Sequence, residues 1–133
     1  MTRLSKPAFI LLLLAVTAAG CGDSNVIGPS NQPEVTNATD NFQLQASNLV
    51  DITQSLAYTW TNTGTQANID QSGSLAGGTA LLIVRDPSGN EVYRRSLSET
   101  GSFASSTGTA GAWRIELRLT RVTGALNFRV QKR

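Results

Sequence analysis

The chain has 133 residues, 40% hydrophobic and 15% charged, with eleven basic and nine acidic side chains, one cysteine and no histidine. That length holds one domain with accessories, and low charge with abundant small polar residues suits a secreted β-rich domain. Lack of histidine excludes Ser-His-Asp and Cys-His nucleophilic schemes and the commonest transition-metal ligand, while a lone cysteine excludes an internal disulfide and a zinc–thiolate cluster.

The first 20 residues have the physical pattern of a secretory signal. Arg3 and Lys6 form a positive n-region, residues 8–16 (AFILLLLAV) a short apolar core, and TAAG supplies small residues before Cys21. The apolar run is shorter than the roughly 20 residues a transmembrane helix needs. Setting Arg3 and Lys6 aside leaves nine basic against nine acidic side chains, so the formal charge of +2 gives no reason to expect nucleic acid. Ala18-Ala19-Gly20-Cys21 resembles the lipobox of bacterial lipoproteins, with Ala18 where leucine is commonest. The resemblance implies acylation of the Cys21 thiol with diacylglycerol, cleavage just before it, and acylation of the new amine by a chain such as palmitate. Each buried lipid methylene contributes about 0.8 kcal/mol, so several chains hold a protein where one would not. The protein is therefore expected in the bacterial cell envelope, on the periplasmic side. Gly22 rather than Asp after the cysteine points to the outer membrane.

Residues 22–40 (GDSNVIGPSNQPEVTNATD) carry two prolines and few bulky apolar side chains. The composition predicts a flexible linker over 21–40, reaching roughly 25 Å root-mean-square as a coil. The NAT at Asn37 matches a glycosylation pattern that carries no weight in a bacterial lipoprotein.

From Asn41 to residue 133 the period becomes two, which predicts strands with one buried and one wet face. NFQLQAS, SLAYTWT, AWRIELRLT and ALNFRVQ all alternate, whereas TALLIVRD is apolar on both faces until Arg85 and reads as a central strand. Turn residues separate the runs: Pro87, Ser88 and Gly89 in one place, and Thr123-Gly124 as a hairpin signal between the last two strands. About eight strands are expected, near 41–48, 53–62, 66–73, 79–86, 91–97, 101–105, 111–121 and 125–131. The fold class is all-β, an antiparallel sandwich or jelly-roll-like domain. The closing stretch GTAGAWRIELRLTRVTGALNFRVQ resembles the last hairpin of jelly-roll-like modules such as pre-peptidase C-terminal domains. No functional residue is implied by that likeness.

Charge is uneven along the chain. Between residues 21 and 84 there are five acids and no base; from Arg85 onward there are nine bases and four acids, so the segments carry −5 and +5. Opposite charges paired across strands would account for this.

The remaining chemistry is sparse. Asp51, Asp70, Asp86, Glu91, Glu99 and Glu116 are the carboxylates from which an acid–base pair could be drawn. Asp86, Asn90 and Glu91 have oxygen ligands suited to calcium, without EF-hand spacing. Tyr58, Trp60 and Trp113 could grip a sugar ring, although their strand-mates Leu and Ile favour a core role. Arg114, Arg118, Arg121 and Arg129 could form a basic stripe against anionic lipopolysaccharide or phospholipid. The expectation is a lipid-anchored, non-enzymatic binding module for an envelope protein or glycan, with no catalytic residue, cofactor or metal. A carbohydrate-binding lipoprotein using the Trp and Tyr faces is the alternative.

Overall fold

The computed structural model describes residues 25–133; the leader and Cys21 lie outside the described residues. After a single 3-10 turn at Pro29–Asn31 come seven strands: β1 (Glu34–Ala38), β2 (Asn41–Asn62), β3 (Ala67–Gln71), β4 (Ser74–Arg85), β5 (Glu91–Ser96), β6 (Gly101–Ala104) and β7 (Gly111–Lys132). All pairings are antiparallel. The domain is an all-β, sandwich-like fold.

Its frame is one long hairpin-like pair. β2 and β7, each 22 residues, pair from Asn41↔Gln131 to Asn62↔Gly111. The other edge of β7 takes β3 along 128–132 and β4 along 114–125. The pair then folds across its middle. Phe42 and Tyr58 lie 16 positions apart on β2, about 50 Å along a straight strand, yet their ring centroids are 5.2 Å apart. Two layers result. The first holds β1, residues 41–46 of β2, the end of β7, β3 and β6; the second holds residues 54–62 of β2, the start of β7, β4 and β5.

The fold line can be read residue by residue. In β7 the buried positions are Trp113, Ile115, Leu117 and Leu119, then Val122, Leu126, Phe128 and Val130. The inward set changes from odd to even numbers at Arg121, which has φ 51°. One extra residue in a period of two exchanges the faces, so the same inward surface continues on the far side of a bulge. β2 makes two such steps, at Asn48 (φ 54°) and Asp51 (φ 51°), beside register shifts against β7. β4 makes its step at Gly78 (φ 76°), where a Cβ would lie 2.5 Å from the Thr120 carbonyl oxygen and closer still to that of Arg121. Only glycine allows that crossing. Asp51 and Arg121 pair at 3.0 Å, the Asp51 N–H donates to Thr123 Oγ1, and the Arg121 N–H donates to Thr53 Oγ1.

Three sequence expectations change here. Residues 41–48 and 53–62 are one strand, as are 111–121 and 125–131. Thr123-Gly124 is no hairpin: it lies inside β7, and Gly124 is needed because β4 passes against it at Ser74. Docked structure also begins before Asn41. The Thr53 N–H donates to the Asn25 carbonyl, the Ile27 N–H donates to Gln54 Oε1, and Asn31 Nδ2 donates to the Ser47 and Asn48 carbonyls. β1 then pairs with β2 from Glu34↔Gln45 to Ala38↔Asn41. Segments poor in apolar side chains can dock when backbone and amide groups find partners, so the composition of 21–40 did not reveal it.

The core lies between the layers, and polar contacts close its side. Tyr93 donates to Gln71 Oε1 at 2.6 Å, and Gln71 Nε2 donates to the Ser96 and Glu99 carbonyls. The Arg95 guanidinium lies 3.9 Å from the centroid of the Phe103 ring.

Candidate functional site

The aromatic residues proposed for sugar recognition are core residues. Trp60 and Trp113 are fully buried register partners in an edge-to-face pair with centroids 5.9 Å apart. Their indole N–H groups donate to the Ala38 and Thr109 carbonyls, so their polar edges are satisfied inside the domain. Tyr58 is half-buried against Phe42. Neither indole offers an open face to a pyranose ring, and Tyr58 alone makes no aromatic platform.

The four arginines of the expected stripe do not assemble. Arg114 and Arg118 share the outer face of the second layer. Arg121 stands at the fold line with Asp51. Arg129 is on the first layer, between Gln43 and Asp70 in the ladders. A stripe that includes Arg129 needs a tight hairpin at Thr123-Gly124, and the continuous strand carries Arg129 away instead.

What forms is a different cluster. Along the outer face of the second layer the ladders align Ser55–Arg118–Leu81–Ser96, then Ala57–Glu116–Ile83–Arg94, with Thr59, Arg114 and Arg85 beyond. Glu116 is the hub, accepting from Arg114 Nε at 2.9 Å, Arg85 Nε at 3.1 Å and Arg118 at 3.4 Å. Glu91 pairs with Arg94 at 2.6 Å and with Arg85 at 3.8 Å. Burial works against the charge of Glu116, yet the hydrogen bonds from Arg114 and Arg85 outweigh it and hold its carboxyl below the usual range. Arg94 does the same for Glu91. Ile83, fully buried on this outward face, lies in the row between Glu116 and Arg94. Long arginine stems can cover apolar surface while their heads stay wet. A shallow depression of about 320 Å³ is lined by Ser55, Leu56, Ala57, Arg114, Glu116 and Arg118. Such a face can meet an anionic partner through forked, charge-assisted hydrogen bonds.

Arg114, Glu116 and Arg118 were visible in sequence as alternate residues of one strand. Arg85, Arg94 and Ile83 were missed as members of the face. Their only signal was the doubly apolar run ending at Arg85, which marked β4 as central without giving its register.

The other carboxylates have local partners. Asp86 Oδ1 accepts from the Ser88 and Asn90 N–H groups and shapes the turn. Glu91 turns to arginine, so Asp86, Asn90 and Glu91 are not gathered around one point. Asp70 accepts from Ser102 at 2.6 Å, and Glu99 pairs with Arg95. Among the described residues, no three His, Cys, Asp or Glu side chains are placed to hold a metal ion. No protein-family model matches the chain, and no curated protein matches it either.

Proposed function

We propose that the protein is a lipid-anchored, non-enzymatic interaction module of the bacterial cell envelope. Acylated Cys21 is its anchor, and the outer face of its second layer receives an anionic envelope partner, protein or glycan. The anchor rests on the charged n-region, short apolar core and AAGC pattern of residues 1–21. The single observation that carries the binding face is its charge: Arg85, Arg94, Arg114 and Arg118 against Glu91 and Glu116, four minus two, a surplus of two positive charges over buried Ile83. The outer membrane is the expected location, since Gly22 follows the cysteine.

Both parts are testable in cells. Wild-type protein should fractionate with membranes and gain the mass of diacylglycerol and an acyl chain, and Cys21→Ser should lose both. A photo-crosslinking residue at exposed Ala57 should give envelope adducts that Arg114→Glu with Arg118→Glu abolishes. The same probe at exposed Asn68, on the first layer, should give none. Equal adducts at the two positions would remove the assigned face.

A further inference from the structure

We propose that the fold-line pole of the sandwich lies against the phospholipid surface, with Val26 and Val50 entering the interfacial region. This rests on the acylation of Cys21 proposed above. Asn25 is fixed at that pole, because its carbonyl accepts the Thr53 N–H at 2.8 Å while the next turn docks through Ile27 and Asn31. Only four peptide steps separate Asn25 from Cys21, so the lipid-bearing residue stays within about 14 Å of the pole. A long flexible linker would leave the orientation free; this one does not.

The surface at that pole is mixed, with Asn25, Ser30, Asn31, Asn48 and Asp51 around its groove and two exposed valines suited to the interfacial region. The exposed large hydrophobic residues among those described are Val26 (42% exposed), Val50 (71%) and Val35 (44%). The first two line one open groove of about 650 Å³, together with Ile52 and the 3-10 turn. Val35 stands apart on the β1 edge. The charge of Asp51 is countered by Arg121 at 3.0 Å, so the rim of the groove has no net charge from this pair. Two valines would not hold a soluble domain at a membrane. A short tether makes their contact intramolecular, at millimolar effective concentration, where weak contacts become populated.

The opposite pole is then carried outward. It holds the loops at 63–66, 86–90 and 105–110 and the C-terminal Arg133, whose N–H donates to the Gln66 carbonyl. The ten residues of β7 between the poles put these loops about 30 Å further out. The arginine face stands along the side of the molecule, clear of the lipid plane.

The test uses full-length, acylated protein in vesicles of phosphatidylethanolamine and phosphatidylglycerol containing a doxyl-labelled lipid. A maleimide fluorophore is placed at Val50→Cys or, on the far loop, at Ser88→Cys; the acylated Cys21 sulfur is a thioether and takes no label. The fluorophore at position 50 should be quenched several-fold more than the one at 88. Inserting about ten Gly/Ser residues between Ser24 and Asn25 should reduce the difference. Equal quenching at both positions in protein of verified acylated mass, or a difference unchanged by the insertion, overturns the orientation alone. An unmodified Cys21 overturns the anchor and the orientation together.

Discussion

Gly78 and Gly89 make a paired test of the fold line. Both have positive φ, 76° and 84°. A Cβ at Gly89 meets nothing within 4 Å, while one at Gly78 overlaps the Arg121 and Thr120 carbonyls. Left-handed backbone costs a non-glycine residue about 1–2 kcal/mol, and alanine returns about 0.4–1 kcal/mol by restricting the unfolded chain. Gly89→Ala should therefore cost between nothing and about 1.6 kcal/mol. Gly78→Ala carries the same balance plus an overlap with main chain, which no rotamer relieves. β4 must move off β7, weakening the ladder at Gly77↔Thr123 and Thr79↔Thr120 and opening the site of buried Ala80. Roughly 3–5 kcal/mol is expected, in the range of strongly disruptive substitutions. That is a large share of the 5–15 kcal/mol typical of a domain.

Urea unfolding followed by tryptophan emission measures both variants. Trp60 and Trp113 are buried and pair near the pole away from Gly78, so they report the global transition. At a mid-range slope of about 2 kcal/mol per molar urea, Gly78→Ala should lower the midpoint by roughly 2 M and Gly89→Ala by under about 0.8 M. Similar small shifts would mean that β4 does not cross β7 at this distance, and the account of the fold line would fail.

Other expected outcomes follow from the polar contacts. Tyr93→Phe leaves the Gln71 Oε1 acceptor buried and unpaired and should cost about 1–3 kcal/mol in urea. Burial pushes the Tyr93 phenol up to about 12, so the folded state keeps a proton that the unfolded chain releases near pH 10. That stabilisation is whole below about pH 10 and is lost as pH rises toward 12; ultraviolet titration of Tyr93→Phe should lose the component near 12 and keep that of Tyr58, which burial also raises. Glu116→Gln leaves Arg85, Arg114 and Arg118 without their shared counter-charge and should cost about 1–2 kcal/mol, for a hub whose side chain is 14% exposed. Because the folded Glu116 carboxyl is held low, its contribution is complete above the ordinary glutamate range and fades as pH falls through the depressed value, so acid unfolding should start from a lower base in Glu116→Gln. Tryptophan emission of the wild-type protein should not respond to added mono- or oligosaccharides; a saturable spectral shift would contradict the burial of both indoles.

The strands were legible where alternation is strict. Trp113 to Leu119 and Leu126 to Val130 are inward in the structure as their period predicts. The fold line was not legible, because a face exchange inside one strand looks the same in sequence as the end of one strand and the start of another. Asn48 and Asp51 are residue types that tolerate left-handed backbone, but Arg121 carries no such mark. β1 was hidden for a different reason: it is exposed along its whole length, so nothing in its composition had to be apolar. The aromatic residues were readable as core from their Leu and Ile strand-mates. The arginine face was half readable: same-strand neighbours follow from parity, whereas neighbours on β4 and β5 follow from registers that only the bulges determine.

The charge asymmetry along the sequence explains why the surplus collects on one face. Pairing β2 with β7 interleaves the acidic and basic segments. Asp51 meets Arg121, Asp40 meets Lys132 at 3.9 Å, and Asp70 faces Arg129 across the β3–β7 ladder. In each case an acid from the first segment answers a base from the second. On the outer face of the second layer this cancellation stops, because β2 presents Ser55, Ala57 and Thr59 there and no carboxylate. The four arginines have only Glu91 and Glu116 from their own segment to balance them. Introducing an acid at Ala57, opposite Glu116, would halve that surplus of two without touching an arginine. Capture by this face should then weaken, by less than when two arginines are reversed, while the tryptophan-monitored stability stays close to wild type; unaltered capture would place the partner elsewhere.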